Sequence, residues 1–306
     1  MIPQAYCTDM DANEPVETSA VETSAEPVTD FLRTLSREEA NLRNIRKAIR
    51  AIERHTENEP SNNIHKIKQE MSRIEKILKQ TRLADFVEED VKQRIQSVKS
   101  MMPAWEEQAT KSFGQRLEDA LKQVDFELSG HYPLLKVMFY TLEVKLETDS
   151  VAIWYGPQQE RLDSCKLIPE VAAKKLEANH KKIAGRGLDD ETFLSNLFEA
   201  YKTVAHRSER KIGDSFPVSD VLLEYALLIQ SKKFRTNPVK SSYNEYGRVF
   251  FSYDLYRLKE RTVEDHELNL VTATRAYTRR RSGFLWVPSN ESGDGTYISH
   301  IRFREV

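Results

Sequence analysis

The sequence predicts an α+β protein, mainly α, in which a helical module is followed by a mixed globular domain. Three observations carry this. Apolar residues recur three and four apart in two segments between Leu35 and Leu78, a period-two stretch opens at Phe139, and strand-like text closes the chain after an aromatic-rich helix. At 306 residues the chain can hold one sizeable core with an appended element, or two modest domains. Hydrophobic residues make up 39% and charged residues 31%, a polar balance that suits long exposed helices.

Residues 1–30 carry Asp9, Asp11, Glu14, Glu17, Glu22, Glu26 and Asp30 with no Lys or Arg, and repeat Val16-Glu-Thr-Ser-Ala20 at once as Val21-Glu-Thr-Ser-Ala25. So little apolar surface cannot offset the entropy of ordering, which predicts a disordered acidic tail, either simply solvated or docked on a basic partner. The overall charge of −2 then leaves residues 31–306 mildly basic. That permits nucleic-acid contact without demanding it.

Residues 31–130 read as a helical docking module. Leu35, Leu42 and Ile49 recur every seven residues, with Ile45 and Ile52 three after the last two, an a/d seam interrupted by Glu38. Proline and asparagine in 57–63 stop this helix. A second seam of Ile64, Ile67, Met71, Ile74 and Leu78 predicts that the two fold back as an antiparallel hairpin. A third helix uses Phe86, Val91, Ile95 and Val98 up to Met101-Met102-Pro103, and a fourth runs from Ala104 to about Leu128 through Phe113, Leu117, Leu121 and Val124. These stripes serve either the chain's own core or a partner's coiled coil. On the second reading the docking residues are Leu42, Ile45, Ile49, Ile52, Ile64, Ile67, Met71, Ile74 and Leu78.

At His131-Tyr132-Pro133 the period changes, and residues 131–306 are expected to form the mixed domain. Phe139–Leu146 and Ser150–Tyr155 predict a β-hairpin. Helices are expected over Pro169–Ile183, Asp190–Ala205 and Val218–Gln230, the second capped by Asp189 or Asp190. The aromatic run Tyr243–Leu258 predicts a central helix, apolar nearly all round. Strands are expected at Leu268–Ala276, Phe284–Val287 and Tyr297–Phe303, with a loop over Ser289–Gly295.

Chemistry is sparse in the text. Glu143 and Lys145 share one face of a predicted strand, as metal-dependent nucleases require, but the second acid is badly placed, since Asp125 follows helical text. No P-loop glycine pattern occurs, and the seven histidines never pair at helical spacing. No cofactor is therefore expected, with ATP and Mg²⁺ entering only through a partner. Cys7 and Cys165 make neither a disulfide framework nor a metal motif, and no apolar stretch approaches the roughly 20 residues that cross a bilayer. A cytoplasmic chain without membrane contact is expected. Basic groups at Lys174-Lys175, Lys181-Lys182 with Arg186, Lys232-Lys233 with Arg235, and Arg279-Arg280-Arg281 are the candidates for phosphate contact.

The helical hairpin, the hairpin text Tyr140–Leu146 with Val151–Gly156, and the aromatic helix Val249–Leu258 together resemble accessory subunits of Lamassu-type bacterial anti-phage systems, which are built around SMC-like ATPases. The resemblance covers residue 31 to the end and maps no catalytic residue. It implies a non-catalytic assembly or regulatory subunit that docks on the larger coiled-coil ATPase, beside a separate effector subunit, in a DNA-sensing complex. DNA would be met indirectly or through basic loops. The alternatives are a metal-dependent nuclease using Glu143 and Lys145, and a stand-alone nucleic-acid-binding protein.

Overall fold

The computed structural model describes residues 26–57, 59–80 and 85–306. Helix α1 (Glu26–Glu57) and helix α2 (Ile64–Leu78) form the expected hairpin, turned by a short 3-10 segment at Pro60–Asn62. Helix α1 already includes residues 26–30, which shortens the predicted tail; the rest of that tail lies outside the described residues. Helix α3 (Asp85–Lys122) runs back along α2, with Lys99 Nζ 2.5 Å from Glu75 and Lys68 Nζ 2.7 Å from Glu106. Between them Ile45, Ala48, Ile52, Ile64, Ile67, Met71, Ile74, Val91, Ile95 and Met102 are buried in one core.

The predicted third and fourth helices are a single helix, because α3 continues through Pro103. A proline inside a helix removes one hydrogen bond and crowds the preceding turn, at a cost of about 3 kcal/mol. Apolar packing on both sides outweighs it: Val91, Ile95 and Met102 before the proline and Ala109, Phe113, Leu117 and Leu121 after it are all buried. A large buried apolar side chain contributes about 1.5–3 kcal/mol, so several of them exceed the penalty. The helix stops at Lys122 instead of Leu128, and Asp125 follows in a left-handed turn at φ 58.

The expected boundary at His131-Tyr132-Pro133 is a tight turn inside a sheet. Strands β1 (Ser129–His131), β2 (Leu134–Val137), β3 (Tyr140–Lys145), β4 (Ser150–Tyr155) and β5 (Glu160–Lys166) form an antiparallel meander in that order. The predicted hairpin is β3–β4, with Leu142 opposite Ile153. One face of this sheet packs on Phe113, Leu117 and Leu121 of α3 and on Ala172, Ala173 and Leu176 of helix α4 (Pro169–Ala184). Helix α3 therefore belongs to two cores, so no packing boundary separates residues 31–130 from residues 131–306.

A third core is built by helix α5 (Asp190–Arg207), strand β6 (Phe216–Pro217), helix α6 (Val218–Leu228), helix α8 (Arg248–Arg257) and strands β7 (Thr262–Val263), β8 (His266–Thr272), β9 (Leu285–Pro288) and β10 (Gly295–Glu305), while the short helix α7 (Lys232–Thr236) buries no residue in it. Asp189 caps α5, its Oδ2 accepting from the Thr192 amide at 2.8 Å. The sheet order is β6-β10-β8-β7, with β9 also on β10. The aromatic run yields only the ten-residue α8, and its central place holds: Phe251 and Leu255 enter the third core, while Val249 and Tyr253 pack on the first sheet's core. Trp286 on β9 fastens the two sheets together, its ring edge-on to Tyr155 at 5.4 Å. No described helix is long and apolar enough to cross a membrane.

Candidate functional site

The most distinctive surface lies between α1 and α3. Both helices pack on α2, yet they leave an open groove of about 620 Å³ between them, continuous with a deeper cleft of about 170 Å³ through Ile49, Glu53, Val91 and Arg94. The heptad seam of α1 explains why. Ile45 and Ile52 turn inward and are buried against α2, whereas Ile49 is half-buried and Leu42 and Leu35 are 45% and 49% exposed. One row of the seam builds the chain's own core, and the other row opens on the groove and the surface beyond it.

The predicted docking residues therefore separate. Ile45, Ile52, Ile64, Ile67, Met71 and Ile74 are core residues and offer no surface to a partner. The correction has a simple cause: periodicity identifies an apolar stripe without saying which neighbour covers it. Leu42 and Ile49 line the groove, and Leu78 lines a shallower hollow between α2 and α3. The groove's charge is not evident from the seam pattern. Arg43 and Arg94 pair with Glu39 at 2.8 Å and Glu53 at 3.7 Å, while Arg46 and Arg50 have no ion pair among the described residues. From Glu39 to Thr56 the groove follows α1 for about 26 Å, room for a helix of similar length.

Glu143 and Lys145 do share a face of β3, but they are committed to each other at 3.1 Å, and Trp154 Nε1 donates to the second Glu143 oxygen at 3.1 Å. No three His, Cys, Asp or Glu side chains gather as a metal site among the described residues. The basic clusters also differ in their surroundings. Lys175 is held by Asp163 at 2.8 Å, Lys181 by Glu177 at 2.6 Å, and Lys182 lies 3.9 Å from Glu245. Arg186 is an interior tie: it donates to Asp254 at 2.5 Å and lies over the Phe250 ring, 4.4 Å from its centroid. Arg281 pairs with Glu160, whereas Lys232, Lys233, Arg279 and Arg280 are exposed and carry no ion pair among the described residues.

Asp254 is the most deeply buried charged group among the described residues, at 1% exposure. It accepts from Arg186, from Arg257 Nε at 3.2 Å, and from the Tyr246 hydroxyl at 2.6 Å. Arg186 and Tyr246 thereby tie α8 to the turn after α4 and to the segment that precedes α8. Beside this core His180 lies between Phe126, Phe139 and Tyr140, and burial holds its pKa below the ordinary value, with Glu291 opposing weakly. The unfolded chain then binds a proton at His180 more readily than the folded one, so acidification below about 6.5 favours unfolding until the folded group also protonates. Urea denaturation is expected to give lower stability at pH 5 than at pH 7.5, with a shallower dependence for His180→Gln.

No family model, curated protein or solved structure matches the chain. The structure defines a class of α+β protein in which a splayed three-helix module is fused through one long helix to two antiparallel sheets.

Proposed function

We propose that this chain is a non-catalytic assembly and regulatory subunit that takes a helix of a larger coiled-coil protein into the α1–α3 groove. The observation that supports it best is the open row Leu35, Leu42 and Ile49 beside Arg46 and Arg50, which have no ion pair among the described residues. An amphipathic helix with an apolar face and acidic flanks complements that combination in both shape and charge. The resemblance to Lamassu-type subunits gives the partner a class, an SMC-like ATPase in a DNA-sensing anti-phage complex. Nucleotide and Mg²⁺ chemistry then belong to that partner, and cutting to a separate effector.

Co-expression with the ATPase and purification of the complex tests this. The pair Leu42→Asp with Ile49→Asp removes two apolar anchors, each contributing about 1.5–3 kcal/mol when buried, and is expected to weaken the complex by roughly 100-fold or more. Both side chains are at least partly open to solvent, so the circular dichroism spectrum should be retained. Undiminished co-purification of the folded double variant would show that the groove is not the docking site.

A further inference from the structure

Two exposed cationic segments lie at opposite ends of α6. One is the α7 segment with Lys232, Lys233 and Lys240; the other is the β8–β9 connection with Arg275, Arg279 and Arg280. None of these six side chains has an ion pair among the described residues, and no Asp or Glu occurs from 231 to 244 or from 268 to 290. That sets them apart from Lys175, Lys181 and Arg186, each of which is neutralised by a neighbour. Unpaired cations crowded together repel one another, so an arrangement of this kind is relieved by an anionic ligand.

The fold places both segments against one helix. Arg235 donates to the carbonyl of Leu228, the last residue of α6, which fixes the α7 segment at that end. At the other end Tyr277 stacks edge-on to His300 at 4.9 Å, and His300 is paired with Pro217, the residue before α6. The eleven residues of α6 separate the two segments by about 16 Å. Each segment also presents an exposed ring, Tyr277 in one and Tyr243 in the other, the latter seated on Phe234 at 5.4 Å. Exposed rings among unpaired cations favour a ligand with both phosphates and stackable bases over a merely acidic peptide.

We infer that this face binds nucleic acid through its phosphate backbone, without reading base sequence. The second part rests on α8. With the short elements α7, β7 and β9 taken as insertions, the order α5–β6–α6–α8–β8–β10, with β10 between β6 and β8, is the connectivity of a winged helix-turn-helix unit, whose last helix would enter the major groove. Here that helix is covered: no residue of α8 is exposed, and it packs against α4 and β9. With the reading helix closed off, the connection in the place of the wing and the α7 segment are left to contact phosphates.

The test is fluorescence anisotropy of the full chain with labelled duplex and single-stranded oligonucleotides of two unrelated sequences, at increasing salt. Equal affinity for the two sequences is expected, with log K against log salt falling at a slope near about −5 on duplex if all six cations meet phosphates. Reversing Lys232, Lys233, Arg279 and Arg280 to Glu should lower affinity at least roughly 100-fold and flatten the slope by about four. Lys181→Glu with Lys182→Glu should change little. Duplex and single strand are distinguished by their relative affinities, and either one satisfies the inference. Absence of binding at low salt, a strong sequence preference, equal binding of polyglutamate, or an unaltered slope in the folded quadruple variant would each overturn it. This face is separate from the α1–α3 groove, so the outcome here does not depend on the docking result.

Discussion

Asp254→Ala is expected to cost about 3 kcal/mol of stability in urea unfolding followed by circular dichroism. The carboxylate is 1% exposed and serves two guanidiniums and a tyrosine hydroxyl at once. Removing one partner of a buried ion pair costs about 3–5 kcal/mol, because the remaining charge has lost its counter-ion. The lower end applies here: Arg186 and Arg257 are about a quarter exposed, at 23% and 25%, and can recover part of their hydration. Tyr246 gains no such relief, since it is buried and its hydroxyl would lose its acceptor. Asp254→Asn keeps a hydrogen-bonding group and should fall between wild type and alanine. A loss below about 1 kcal/mol for the alanine variant would show that the network does not hold α8 in place.

Trp286→Ala should cost about 3–5 kcal/mol, the range for truncating a large core aromatic, and should also divide the unfolding transition. The indole ring is 3% exposed and lies where neither neighbouring glycine could carry a side chain. A Cβ on Gly156 would meet the ring at 2.6 Å, and one on Gly295 at 2.4 Å. Around the same point the Ser252 hydroxyl donates to the Trp286 carbonyl at 2.6 Å and accepts from Tyr155, 3.1 Å away. These contacts join the first sheet to the second. Calorimetry should give coincident melting of the two sheets in the wild type and separated transitions in the variant. A single unshifted transition would count against Trp286 as the fastening.

Much of the fold is legible in the sequence, and the exceptions have physical causes. The α1–α2 hairpin, β3–β4, α4, α5, α6 and the three C-terminal strands all carry strong periodicity, and the structure has them within a few residues. The strands that escape a sequence reading are β1, β2 and β5 of the first sheet and the two-residue β6 and β7 of the second. Ser129–His131 has no buried residue, and Glu160–Lys166 places only half-buried and exposed residues along its length, so neither has the apolar alternation that marks a strand. Pro103 misleads in the other direction, because a local rule is outvoted by apolar packing on both sides of it. In the α1–α3 groove Leu42 and Ile49 can be read as apolar seam positions. Their openness cannot, because it depends on how far α3 stands from α1. Charge is the least legible property: Arg186 and Arg280 look alike in the sequence, and only packing makes one an interior tie and the other an open cation.

Helix α3 ties the groove to the sheets, with Val91 and Ile95 in one core and Phe113, Leu117 and Leu121 in the other. Its 38 residues span about 57 Å without a break. A strut of that length works as a lever arm: a tilt of about one degree imposed at its N-terminal end displaces the far end by about 1 Å. A displacement of α3 beside Val91 and Arg94 is therefore carried along the helix to the first sheet.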